Sequence, residues 1–205
     1  MSKQESNAGK TKKYQEREQV PTTIDLLIAK LADKSDETRK STRESLIATG
    51  EPAVPALIEA LDHSDHLVRW EAAKALGQIR APMSAPSMVK ALHDKAFDVR
   101  WLAAEGLIAL GKEAVVPLLK ELVRNSENPW LREGAHHVLS HFAGSDMNIE
   151  HHDLSHPIQS TELRELLKPL VSALDSVEPS IDVPRAVKKA LELMHLDDYG
   201  GPDSK

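Results

Sequence analysis

Six of the ten histidines fall between residues 136 and 156, in the run HHVLSHFAGSDMNIEHHDLSH. His137 and His141 stand four apart, so on a helix their imidazoles project from one face and can share a divalent metal ion. His151, His152 and Asp153 would add nitrogen and oxygen donors if their segment folds back over that pair. The segment has no regular ligand spacing, however, and the expectation is a chain without a cofactor. Other chemistries find less support. With no cysteine, there is no thiol nucleophile, thiolate ligand or disulfide. Ser140-His141 and Ser155-His156 lack an orienting carboxylate at a triad spacing. The nine glycines are scattered and form no phosphate-binding loop.

A second set of residues points to binding. Two of the three tryptophans occur at matching points in VRWEAAKAL (68–76) and VRWLAAEGL (99–107), 31 residues apart. At 100° per residue, Trp70 lies about 200° from Val68, with Glu71, Lys74 and Gln78 beside it. That face opposes the Val68, Ala72, Leu76 and Ile79 stripe. The same construction groups Trp101, Leu102, Glu105 and Ala109 opposite Val99, Ala103, Leu107 and Leu110. One unit further on it groups Glu133, His137 and His141 opposite Leu131, Ala135, Val138 and Phe142. Indoles on this face either pack over the next helix or line a surface shared by successive helices. The expectation is the second: a partner surface built from Trp70, Glu71, Lys74, Trp101, Leu102, Glu105, Glu133 and His137. Arg69, Arg100 and Arg132 form a parallel row, but the expectation there is structural, with Asp62, Asp65, Asp94 and Asp98 as partners between units.

The elements that must carry these residues repeat. Pro55, Pro86 and Pro117 are spaced 31 and 31 apart, each opening an apolar segment. Ala72-Ala73 recurs as Ala103-Ala104. An earlier copy reads TRKSTRESLIATG (38–50) and a looser one VPRAVKKALELM (183–194). Each unit is predicted to be two helices, the first with proline in its opening turn, the second amphipathic. The pairs are expected near 22–33/36–49, 52–62/65–80, 83–93/96–110, 113–124/128–142 and 161–175/182–195. One pair cannot bury its own apolar stripe, so stacking must stabilise the whole. The step from Pro117 to Pro169 is 52, one repeat plus an insertion of 21. The chain is thus expected to divide into a polar, disordered tail (1–20), helical repeats (21–143), a histidine-rich insertion (144–160), a capping helix pair (161–197) and a short tail (198–205).

Composition agrees. Aromatics are 3% and hydrophobics 40%, so Ala and Leu do most of the filling, as close helix packing allows. The formal net charge of −6 argues against a nucleic-acid partner, whose phosphates call for an excess of Lys and Arg. No run of eighteen apolar residues is present to span a membrane, and residues 1–20 lack the apolar stretch of a signal peptide. The expected location is therefore cytoplasmic.

The phrases DHLVRWEAAKALGQI and DVRWLAAEGLIALG resemble HEAT repeats of the short bacterial kind, the phycobilisome-lyase-type HEAT-like repeats. The resemblance covers residues 36–142 well and 161–195 loosely. It implies an all-α fold: a right-handed α-solenoid of about five antiparallel helix pairs, its second helices lining a binding surface. The family includes scaffolds, bilin-handling proteins and a hydroxylase branch that binds di-iron through repeated His-Glu dipeptides. This chain has no His-Glu dipeptide, so that activity does not carry over, and without cysteine no bilin can be anchored covalently. A class of HEAT-like DNA glycosylases uses tryptophans with an acidic residue, a set that Trp70, Trp101 and Glu105 resemble; the acidic balance weighs against it. The leading expectation is a non-enzymatic module that binds a protein or peptide. A metal- or tetrapyrrole-dependent activity at His137 and His141 is the alternative.

Overall fold

The computed structural model describes residues 22–144 and 161–194. Among them are ten α-helices: α1 (Thr23–Lys30), α2 (Asp36–Thr49), α3 (Val54–Ala60), α4 (His66–Ile79), α5 (Ala85–Ala91), α6 (Phe97–Leu110), α7 (Lys112–Asn125), α8 (Pro129–Ala143), α9 (Thr161–Leu174) and α10 (Pro179–Leu193). All five expected pairs are present, and the chain is an α-solenoid.

Local chemistry sets the helix ends. Thr22 and Asp25 form a reciprocal cap, with the Asp25 N–H donating to Thr22 Oγ1 and the Thr22 N–H to Asp25 Oδ2. Ser35, Asp65 and Asn128 accept from backbone N–H groups at the starts of α2, α4 and α8. These bonds satisfy donors that a helix start leaves without partners. Short 3-10 turns at Glu51–Ala53 and Pro82–Ser84 precede α3 and α5, so Pro55 and Pro86 fall in the first turn as expected. In α7 the helix already begins at Lys112, and Pro117 lies inside it. Pro117 therefore has no N–H to give the Glu113 carbonyl one turn back. The last helix also starts at Pro179, three residues before its expected position.

The predicted stripes form the core. Val68, Ala72, Leu76, Val99, Ala103, Leu107, Leu131, Ala135, Val138 and Phe142 are buried, with Met88, Leu92, Leu118 and Leu122 from the first helices facing them. Successive second helices α2, α4, α6 and α8 pack in sequence, and α1 on α3 and α5 on α7 form the other layer. The tightest crossing is α4 with α6, at Gly77 and Gly106. A Cβ on Gly77 would come 3.1 Å from the Gly106 Cα, so a side chain there would force the two backbones apart.

The capping pair departs from the repeat. Following the insertion, α9 packs against α8, and α10 packs against α7. The first helix of this pair therefore occupies the second-helix layer, and its second helix occupies the first-helix layer. His136 Nε2 lies 3.3 Å from Asp175 Oδ2 across the α8–α9 contact.

In each of the first four pairs one arginine closes the turn between the two helices. Arg39 Nη1 donates to the carbonyls of Asp33 and Lys34, Arg69 Nη1 to His63 and Ser64, Arg100 Nη1 to Asp94 and Lys95, and Arg132 Nη1 to Ser126 and Glu127. The offsets are six and five residues in every case. Arg69 also grips Asp94 of the next unit with two bonds, Nε to Oδ2 at 2.6 Å and Nη2 to Oδ1 at 3.0 Å. The arginine row is structural, but of the expected aspartates only Asp94 pairs with it between units; Asp62 pairs with Lys90, Asp65 caps α4 and Asp98 accepts from the Val99 N–H. Burial pushes the Asp94 carboxyl up, but the Arg69 hydrogen bond, the Ala96 N–H and the Arg69 charge outweigh it. The group is held below the ordinary carboxylate value.

A carboxylate whose folded-state pKa is depressed stabilises the fold above its unfolded value, about 3.9 for Asp, and this contribution is lost as pH falls through the folded value. Asp94→Asn should therefore lower the melting temperature at neutral pH. The gap to wild type should shrink as pH falls below about 4. Thermal unfolding followed by circular dichroism across that range checks this, and a pH-independent gap would contradict it.

Candidate partner-binding surface

The expected surface separates into two clusters when its side chains are placed. On α4, Trp70 is half-buried beneath two cations: Lys74 Nζ lies 4.6 Å from its ring centroid and Arg43 Cζ 5.8 Å. Both contacts are within cation–π range. This indole is covered by its own protein. On α6, Trp101 is 47% exposed. Its ring stacks on the His137 imidazole of α8, with centroids 4.8 Å apart and planes 27° from parallel. His137 Nε2 in turn lies 2.8 Å from Glu105 Oε1. Trp101, Glu105 and His137, drawn from two successive helices, are thus brought together as the wheel construction placed them. Leu102 is half-buried and packs against the core.

Three further residues, absent from the sequence-derived set, extend this cluster. Phe97, one turn before Trp101, is 58% exposed with its ring centroid 6.3 Å from the Trp101 ring. Trp130, at the start of α8, is 42% exposed. Between them lies the Arg100 guanidinium, 5.5 Å from the Phe97 centroid and 4.8 Å from that of Trp130. Arg100 Nη2 is also 4.0 Å from Glu133 Oε2. The result is a continuous ridge from the first turns of α6 and α8 to just past their midpoints: Trp130, Arg100, Phe97, Trp101, His137, Glu105. Phe97 is four residues before Trp101, so helical spacing was a usable signal for it. Trp130 and Arg100 meet across units, which no single-helix periodicity reveals.

Glu71 requires a correction. The wheel put it beside Trp70 on the outward face, yet it is 1% exposed. Its carboxylate accepts from Arg43 Nη1 and lies 3.5 Å from Arg39 Nε, both on α2. The face opposite the apolar stripe is partly the seam between units. Glu71 lies in that seam, so it holds α2 against α4 and is not available to a partner.

The metal reading rests on His137 and His141. Among the described residues, no group of three or more His, Asp or Glu side chains is placed to hold a metal ion. His141 lies edge-on to Phe142, with ring centroids 6.0 Å apart. His151, His152 and Asp153 lie outside the described residues. Of the glycosylase-like set, Trp101 and Glu105 share the ridge, whereas Trp70 belongs to the Lys74–Arg43 cluster. Among the described residues, no helix is long and apolar enough to cross a membrane.

Paired helices stacked in two layers, four of the five pairs closed by an equivalent arginine, define a helical-repeat protein of the solenoid class. A family model for HEAT repeats matches residues 24–107 and, overlapping them, 54–140. The chain belongs to the HEAT-repeat family. No curated protein matches it significantly.

Removing one partner of a buried ion pair leaves the other charge uncompensated, which costs about 3–5 kcal/mol. Glu71→Ala strands Arg43, whose Nε already lacks a hydrogen-bond partner. It should lower unfolding stability by about 3 kcal/mol. Glu133→Ala, at the exposed end of a long contact with Arg100, should change it by under about 1 kcal/mol. Urea denaturation of the two variants checks the contrast.

Proposed function

We propose that this protein is a non-enzymatic interaction module that binds a protein or peptide partner on the surface formed by its second helices, centred on α6 and α8. The observation that carries this reading is the ridge itself. Three large aromatic side chains stand 42–58% exposed within one network, held by contacts with Arg100 and His137. Exposed aromatic groups already fixed in place lose little freedom on binding, which favours their use as anchors. Membership in the HEAT-repeat family supports the reading, because such arrays commonly serve as protein-interaction scaffolds. The 31-residue step supports the finer resemblance to short bacterial HEAT-like repeats. Within the expected residue set, Trp101, Glu105, Glu133 and His137 form the centre of the surface. Leu102 backs it, and Trp70 with Lys74 forms a second, more covered contact point.

Trp101→Ala and Trp130→Ala should leave the helical content unchanged and each weaken partner binding by on the order of 2 kcal/mol. Affinity capture with wild type and the double variant, followed by titration of the captured partner, tests this. A partner bound equally well by both would overturn it. His137→Ala should have a smaller effect than Trp101→Ala, since the imidazole acts by supporting the indole.

A further inference from the structure

We propose that the ridge takes a basic segment, an extended peptide whose Arg or Lys side chains lie on the Trp101 and Trp130 rings. This inference rests on the interaction reading above and names the chemistry of the partner.

The argument begins with the direction of the local charges. The two guanidinium groups of this region point inward. Arg100 and Arg132 donate to main-chain carbonyls of the turns before α6 and α8, and the side chain of Arg100 is only 13% exposed. The carboxylates point outward. Asp98 and Glu127 are exposed, the Glu133 side chain is 62% exposed, and Glu105 is partly open beside His137. The exposed cations nearest in sequence are Lys95, three residues before Asp98, and Arg124, three before Glu127. A visitor at this ridge therefore meets carboxylate oxygens and indole rings, while the Arg100 and Arg132 guanidinium groups are already engaged.

The rings themselves show which ligand they accept. The faces of Phe97 and Trp130 hold a guanidinium, and that of Trp70 holds an ammonium group. Both arrangements occur at half-open sites, where the aromatic quadrupole attracts a cation and nearby carboxylates add to the attraction. A partner Arg on the open part of Trp101 or Trp130 repeats this geometry, and exposed carboxylates stand one helical turn away in sequence, Asp98 three residues before Trp101 and Glu133 three after Trp130. The overall charge of −6 would steer such a segment toward the protein and disfavour an acidic one. An apolar helix fits less well, because exposed carboxylates would have to be desolvated without partners.

A short alternating Arg-Gly peptide, with Asp-Gly and Pro-Gly peptides as comparisons, is titrated into the full chain and followed by tryptophan fluorescence and calorimetry. The Arg-Gly peptide should bind at least about tenfold more tightly than either comparison and weaken as salt is raised. Trp101→Ala and Trp130→Ala should each reduce its affinity by about fivefold. Glu133→Lys should do likewise, whereas Glu192→Lys, the same charge change on exposed α10, should not. Equal losses for Glu133→Lys and Glu192→Lys would overturn the proposal, because the peptide would then be responding to net charge alone. If a Pro-Gly or Asp-Gly peptide binds best in a Trp101-dependent way, the basic class is wrong and the surface reading stands. If no peptide depends on Trp101 or Trp130 and the captured partner is also unaffected, both readings fail.

Discussion

The arginine that closes each of the first four helical pairs is the constraint on which the rest of the array depends. A helix leaves its last carbonyls without intrahelical partners, and the turn after each first helix is where the chain reverses. The turn's own carbonyls also need donors, and Arg39, Arg69, Arg100 and Arg132 each supply them through Nη1, which donates to two adjacent carbonyls just past the end of the first helix. The side chain starts from the second helix, so the bond ties that helix to the end of the first. With the pair fixed in this way, the apolar stripes of successive units face one another at a constant step. At Arg69 the fork does more: Nη1 closes the turn while Nε and Nη2 hold both oxygens of Asp94, a division of labour that the single ammonium of lysine cannot reproduce.

What remains of each guanidinium after this duty determines how its unit meets the next. Arg39 reaches Glu71, which is fully enclosed and shared with Arg43. Arg69 reaches Asp94, whose side chain is 9% exposed. Arg100 only approaches Glu133, out in solvent. The ionic link between units is therefore buried at one end of the series and open at the other. Where it is open, aromatic rings take the place of the carboxylate, and the same arginine that locks one unit becomes part of a surface in the next. The ridge at Phe97, Trp101 and Trp130 is thus a consequence of how the third and fourth units are joined.

This explains which features the sequence made legible. The Val68, Ala72, Leu76 stripe and its copies follow from a 3.6-residue period acting within one helix, and they are buried as that period requires. Glu71 was misplaced because its environment is set by a neighbour 28 residues away. Arg43 stands where later units have Ala73 and Ala104, and Glu71 where the next unit has the half-buried Leu102. A large buried cation has replaced a small residue, and a buried carboxylate has replaced an apolar one. Comparing units by position, rather than reading one wheel, would have identified that seam. The capping pair was harder to read. Its apolar pattern identifies two helices, but the insertion before it breaks the phase of the array, and periodicity carries no information about which layer a helix enters. Here α9 enters the second-helix layer.

That exchange of layers bears on the binding surface. In an unbroken array α8 would be followed by another first helix and then by a second helix beside it. Instead α9, the next helix after the insertion, packs on α8, with Asp175 against His136, so the second-helix layer ends on α9. The outermost unit of a solenoid must cover its last apolar stripe, and α9 and α10 do so by presenting Leu167, Leu170, Val183 and Val187 inward. His136 and His137 are adjacent on α8 and serve different neighbours: one meets the cap, the other supports Trp101. Packing of the cap onto α8 thus helps hold the helix that carries His137 and Trp130, and the orientation of the exposed rings rests on contacts made on the far side of the same helix.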